Sequence, residues 1–207
     1  MALDERALPL RERKRLRTRR ALADAALRLF SEKGYDATTL DELVDEAEVS
    51  RSTFFRAFAT KEAVAIEAET ELWSKYIAAL GGRQLSGSVL AELRETLAET
   101  LAALDADWDR RYLVTRRLVL TAPALLAQVE YHRSGVQKDI VAVLADKLAL
   151  EADDLRLHIL AELAITAWSV AGRAWVHADG KGGRKNLAGR LRAAFAAIEP
   201  SLSLAAD

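Results

Sequence analysis

The stretch TTLDELVDEAEVSRSTFFRAFATKEA, residues 38–63, decides the fold. Thr39 stands just before an apolar-periodic segment and Glu42 follows it by three residues, the capping-box spacing that opens a helix. Leu40, Leu43, Val44 and Ala47 recur at three- and four-residue intervals and give that helix a buried side. Glu48 to Ser50 make a tight turn, and Ser50 caps a second short helix, Arg51 to Phe58. Thr60 caps a third. Two short helices joined by a three-residue turn and braced by a longer one form the helix-turn-helix pattern, although ordinary helical hairpins share the spacing. The adjacent phenylalanines sharpen the reading. A helix turns about 100° per residue, so Phe54 and Phe58 share a face and Phe55 is rotated off it. Phe54 and Phe58 therefore belong to the core between the helices, and Phe55 points elsewhere.

Outward from this stretch the chain stays helical. On the N-terminal side Leu22, Ala25, Ala26, Leu29 and Phe30 predict a helix over 13–33, ended by Gly34 as a C′ residue. Residues 1–10 read as disordered. On the C-terminal side a helix over 61–80 ends at Gly81-Gly82. Others follow over about 87–105 (capped by Ser86 or Ser88), 107–121, 123–150, 153–178 (capped by Asp153) and 184–199. Pro123 fits an N1 position and Pro200 a stop. Gly135 is a place for the seventh helix to bend or split. No internal repeat or long linker separates independent domains. The expected organisation is a disordered start of a basic arm at 1–12, a helix-turn-helix domain at 13–60 and a larger helical domain at 61–207.

Composition agrees with an all-α fold. The 207 residues are 51% hydrophobic, with only 10 Gly and 3 Pro, so good helix formers dominate and a sizeable core can be buried. There is no Cys, which excludes disulfides, thiolate metal sites and a Cys nucleophile. The N-terminus carries no apolar targeting core and no window approaches 18 uninterrupted apolar residues; the expectation is a cytoplasmic protein without a membrane span. The net charge of −1 is uninformative, but its distribution is not. Residues 11–20, RERKRLRTRR, hold seven basic residues and one acidic. Two readings fit: a solvated helix start, or an arm that follows phosphates. His132, His158 and His177 lack metal-site spacing, so no metal is expected. No P-loop, GxSxG, HExxH or GxGxxG is present, and neither enzymatic activity nor a cofactor is expected.

The segment from Arg19 to Lys61, with LFSEKGYDATTLDELVDEA followed by VSRSTFFRAFATKEA, resembles the DNA-binding domain of TetR-family transcriptional regulators. About 45 residues carry the resemblance, and the later helices match that family in number and order. It implies a dimer on double-stranded DNA, most simply a repressor of a palindromic operator. The last two helices would form a four-helix bundle with their symmetry mates, and a small molecule would bind the larger domain. Such a regulator works in the bacterial cytoplasm, on the nucleoid when bound to its operator. Two departures stand out. The turn carries Glu48 where relatives usually have glycine; in a left-handed conformation this costs on the order of 1 kcal/mol. Phe55 replaces the usual tyrosine, whose hydroxyl bonds a phosphate. FFRAF before T-K, together with RRYLVTRRLVLTAPALLAQ (110–128), resembles the subgroup of the mycofactocin regulator, which implies an acyl-CoA-like effector.

The candidate DNA-contacting residues follow. Arg51, Ser52 and Thr53 open the recognition helix and would face base edges in the major groove. Arg51 suits bidentate contact with guanine O6 and N7, or a phosphate contact. Ser52 and Thr53 suit close approach, or capping. Arg56, at the far end, suits phosphate or solvent. By resemblance Thr38, Thr39 and Lys61 hold the DNA backbone, fixing register without reading sequence. Phe55 would touch a sugar or thymine methyl. Arg15 and Arg17, with Arg13 and Lys14, would extend the footprint as a flexible arm. For the effector, Trp73, Tyr76, Trp108, Tyr112 and Trp168 would line an apolar pocket, and Arg116 would pair with a carboxylate or CoA phosphate. Core packing for the aromatics and a salt bridge for Arg116 are the alternatives. Trp168 and Trp175 share a face and suit either the core or the dimer interface. A second function stays open: a helical small-molecule or acyl-CoA-binding module whose DNA binding has decayed.

Overall fold

The computed structural model describes residues 9–205; the expectation of disorder over 1–8 falls outside them. Among the described residues there are eleven helices and no strand. They are α1 (Leu10–Lys33), α2 (Leu40–Glu46), α3 (Arg51–Ala57), α4 (Lys61–Ala65), α5 (Glu67–Gly82), α6 (Val89–Ala103), α7 (Trp108–Thr121), α8 (Pro123–Leu148), α9 (Leu155–His177), α10 (Gly183–Ala196) and α11 (Ile198–Ser201). The all-α fold is as the sequence predicts. The described residues form two compact units, one of residues 9–70 and 105–130, the other of 71–104 and 131–205; two of the three boundaries fall inside α5 and α8 and the third between α6 and α7.

Several helix ends differ from expectation, each for a local reason. α1 begins at Leu10, not 13. Pro9 is its N-cap with φ −53°, and its carbonyl accepts the Glu12 and Arg13 amides at 2.9 and 3.0 Å. A proline suits that place because no helical partner exists for its missing N–H. The basic segment is therefore the first turns of α1 and not a separate arm, which corrects the conformation expected for Arg15 and Arg17. The single helix expected over 61–80 is broken at Ile66 (φ −99°, ψ 17°) into α4 and α5. α8 runs through Gly135 without a break. Asp154, not Asp153, caps α9 by accepting the Arg156 amide at 2.9 Å. Pro200 does not stop the last helix but sits within the short α11, inside a first turn where its missing N–H has no helical partner to lose.

The first unit is organised by one core. Leu22, Ala26, Leu29 and Phe30 of α1 meet Leu43 and Val44 of α2, Phe54 and Phe58, Val64 to Ile66, and Leu118, Val119, Leu125 and Val129 of α7 and α8. Phe54 is fully buried, which stabilises by about 1.5–3 kcal/mol relative to exposure, and truncation to Ala would cost about 3–5. The α2–α3 turn closes as a Schellman arrangement: the Val49 amide bonds the Val44 carbonyl at 2.9 Å, with Glu48 left-handed at φ 52°. The turn thus accepts the strain that a glycine would avoid. In the second unit α9 and α10 pack along one another, with α6 against α10. Leu93, Leu97 and Leu101 of α6, Ala161, Trp168 and Trp175 of α9, and Leu187, Leu191 and Phe195 of α10 are buried there. Trp168 and Trp175 are therefore core. By length and composition α9 could cross a membrane, but 44% of its most apolar window is buried within the chain, as in a core helix.

Candidate nucleic-acid interface

The recognition helix presents two faces. Phe54 is inside, edge-to-face against Phe55 at 5.4 Å and 6.0 Å from Phe58. The opposite side carries Arg51, Ser52, Phe55 and Arg56, all exposed, with 57% of Phe55 in solvent. Helical periodicity alone separates the two phenylalanines in this way. Ser50 accepts the Thr53 amide at 3.2 Å, and its hydroxyl lies 2.9 Å from those of both Ser52 and Thr53. Ser52 and Thr53 thus help seat the cap. Arg56 folds back along its own helix, donating to the Ser52 carbonyl at 3.2 Å and the Thr53 hydroxyl at 3.0 Å. Arg51 grips Asp41 of α2 with Nε to Oδ1 and Nη2 to Oδ2, both at 2.5 Å. That bond holds the Asp41 carboxyl below, and the Arg51 guanidinium above, its ordinary range.

One backbone-holding expectation needs correction. Thr38 is buried, 1% exposed, and its hydroxyl donates to the Gly34 carbonyl at 2.8 Å. It closes the α1–α2 loop, so its side chain is not a phosphate ligand. Thr39 forms the complete capping box: its hydroxyl accepts the Glu42 amide at 3.2 Å, and its own amide donates to Glu42 Oε2 at 2.9 Å. The Glu42 carboxylate thus takes the Thr39 amide, and Thr39 itself stays exposed at the α2 start. Lys33 bonds the same carboxylate at 2.6 Å, and these two contacts pull the Glu42 carboxyl down to about 2.

Lys61 does tie elements together, though to protein. Its ammonium donates to the Tyr35 and Thr38 carbonyls, both at 2.9 Å, and lies 4.0 Å from the centre of the Tyr35 ring. The α4 start is thereby fixed against the loop that precedes α2. Together the Arg51–Asp41 and Lys61–Thr38 bonds bring the N-terminal ends of α2, α3 and α4 to one side of the unit.

The sequence reading missed Asp41 as a partner and missed Arg19. Arg19 donates to the Ala57 carbonyl at the end of α3, bonds Glu67 Oε1 at 2.8 Å and lies 4.2 Å from the Phe58 ring centre. It clamps the recognition helix to α1 and the start of α5. Nothing in the spacing announces a pair 48 residues apart. Arg15 and Arg17 are exposed on α1.

The effector candidates fall into two groups, one in each unit. In the second unit Trp73, Tyr76 and Trp168 pack edge-to-face, with Trp73 5.5 Å from Tyr76 and 6.3 Å from Trp168. All three are buried, and burial pushes the Tyr76 phenol up. In the first unit Trp108 and Tyr112 stack at 4.8 Å, and Arg116 pairs with Glu69 at 2.8 Å. A cleft of about 480 Å³ in the first unit is lined by other residues, among them Asp24, Arg28, Glu48, Arg110 and Val114.

Residues 22–68 match the family model of bacterial regulatory proteins, tetR family. Over 175 residues the chain is 30% identical to the HTH-type transcriptional regulator TcmR of Streptomyces glaucescens, covering 80% of this chain and 76% of that protein. Over 103 residues it is 31% identical to the HTH-type transcriptional regulator AcrR of Shigella flexneri, 47% of this chain and 46% of the relative. The fold is similar to a transcriptional regulator (TerR/AcrR family) from Aquifex aeolicus VF5, with TM-score 0.53 and 18% identity over 87% of this chain and 99% of that one. The capped α2, the α2–α3 turn and the polar outer face of α3 all lie inside the matched segment, and the chain belongs to the TetR family of transcriptional regulators, DNA-binding helix-turn-helix proteins and not enzymes.

Proposed function

We propose that the chain is a ligand-responsive repressor that binds a palindromic operator as a homodimer. The outer face of α3 carries this reading: Arg51, Ser52, Phe55 and Arg56 are exposed on a helix locked from behind by Phe54 and Phe58. Arg51 reads a base or meets phosphate, and Ser52 and Thr53 allow close approach. Phe55 touches a sugar or thymine methyl. Arg56, Lys61, Arg15 and Arg17 supply positive charge along the backbone. Thr39 contributes through its capped helix end. The dimer forms through α9 and α10. In support, α9 exposes Leu155, Ile159 and Val170 along one stripe.

The effector is an apolar small molecule, with an acyl-CoA as the specific candidate, bound at one of the two aromatic groups. An effector releases DNA only through its different affinity for two conformations. The Ile66 break suits such a switch. The Thr115 hydroxyl donates to the Ala65 carbonyl at 2.9 Å, and the Trp108 indole to the Ala68 carbonyl at 2.8 Å. These bonds hold carbonyls on either side of the break, and Arg116–Glu69 adds an ion pair beside it. A shift of α7 would be passed to α4 and from there, in the dimer, to the spacing of the recognition helices. Such a regulator works in the cytoplasm.

A gel shift against the DNA upstream of its own gene, at moderate salt, tests the reading. A specific complex weakened by Arg51→Ala is the expected result. No specific complex on any intergenic candidate, with the fold intact, would instead favour an effector-binding module without DNA binding. Mass spectrometry of co-purified ligand tests the effector: an aliphatic chain with a nucleotide head is expected, and a small aromatic contradicts it.

A further inference from the structure

The Arg51–Asp41 pair has a geometry that bears on how a base would be read. A guanidinium offers two bidentate edges: a lateral one, made by Nε and one terminal nitrogen, and an end-on one, made by both terminal nitrogens. Asp41 occupies the lateral edge through Nε and Nη2. No described hydrogen bond uses Nη1, so the end-on fork is open, and both side chains stand in solvent at 63% and 59% exposure. Guanine O6 and N7 accept such a fork in the major groove.

Asp41 is a fixed post. It lies in the first turn of α2, and α2 is locked to α3 by Leu43, Val44 and Phe54 in one core and by the Val49–Val44 bond across the turn. An exposed arginine otherwise loses much rotamer freedom when it docks on a base; one already gripped by a fixed carboxylate has lost it beforehand. Resting on the proposal that α3 reads DNA, we infer that Asp41 is a positioning residue that aims the end-on fork of Arg51 at a guanine and so sets base discrimination at that position. A carboxylate that merely competed with DNA for Arg51 would act in the opposite direction, because its removal would tighten binding.

The test uses the full-length protein and an operator obtained by selection from random duplex. Affinities are measured at fixed salt for that operator and for variants with each guanine of the half-site replaced in turn. Wild type, Asp41→Ala and Arg51→Ala are compared, with thermal midpoints as a control on folding. The expected result is that both variants lose discrimination at the same base pair, Asp41→Ala by roughly 5- to 10-fold, with thermal midpoints close to that of wild type. If Arg51→Ala relaxes one position while Asp41→Ala leaves it intact, relaxes another, or tightens binding, the positioning role is overturned and the Arg51 reading survives. If Arg51→Ala relaxes no position, or no operator is enriched at all, both are overturned.

Discussion

Phe55→Tyr adds the hydroxyl that the family resemblance leads one to expect on this recognition helix. The side chain is 57% exposed and touches its own helix through the edge-to-face contact with Phe54. An added hydroxyl there can be hydrated, so folding stability should move by no more than about 0.5 kcal/mol. On DNA the hydroxyl would donate to a phosphate oxygen. Hydrogen bonds to charged groups contribute about 1.5–3 kcal/mol, and an exposed site belongs at the lower end, so affinity should rise about tenfold. Fluorescence anisotropy with a labelled operator duplex at fixed ionic strength gives the affinity, and thermal unfolding gives the stability. Unchanged or weaker binding by a stable variant would show that Phe55 does not lie beside phosphate. A loss above about 1 kcal/mol, a fall of about 2–4 °C in a chain of this size, would show that the ring is buried.

Three other outcomes are expected. Thr38→Val removes the buried donor to the Gly34 carbonyl and should cost about 1–2 kcal/mol of stability while leaving DNA affinity unchanged below the transition; weaker DNA binding at full stability would restore Thr38 to the phosphate contacts. The Glu42 carboxyl is lowered from its ordinary 4.5 to about 2 by the Lys33 and Thr39 bonds, so its contribution is complete above pH 4.5 and fades as pH falls toward 2. The gap in thermal midpoint between wild type and Glu42→Gln should narrow over that range, and a gap undiminished at pH 2 would contradict the linkage. Replacing Arg15 and Arg17 together with Ala should lower the log–log salt dependence of DNA binding by about 1.8, at about 0.9 per phosphate contact; an unchanged slope would place the start of α1 away from DNA.

Local chemistry made much of the fold legible. Thr39, Ser50 and Thr60 each cap a helix as their spacing suggests, because an N-cap is a contact within four residues. Glu48 is left-handed, as the three-residue turn requires. What stayed hidden depends on distant partners. Ile66 carries no glycine or proline signal; helix bonds are lost there while Thr115 and Trp108, more than 35 residues away, hold neighbouring carbonyls. Pro9 marks the start of α1, whereas the apolar periodicity that predicts this helix begins only at Leu22. In the interface, exposure of Phe55 followed from helical period alone. The Arg51–Asp41 grip did not, since it depends on the crossing of two helices. The burial of Thr38 was invisible because its partner is a loop carbonyl and not a side chain.

Selection of bound sequences from a random duplex library, using the full-length protein, bears most directly on the proposal that this chain reads DNA as a symmetric pair. Two inverted half-sites should be enriched, with centres about 34–36 Å apart along the duplex or farther. Each should hold a guanine whose enrichment disappears in Arg51→Ala. A library that stays unenriched, or an enriched single site without inverted symmetry and indifferent to Arg51, would contradict it.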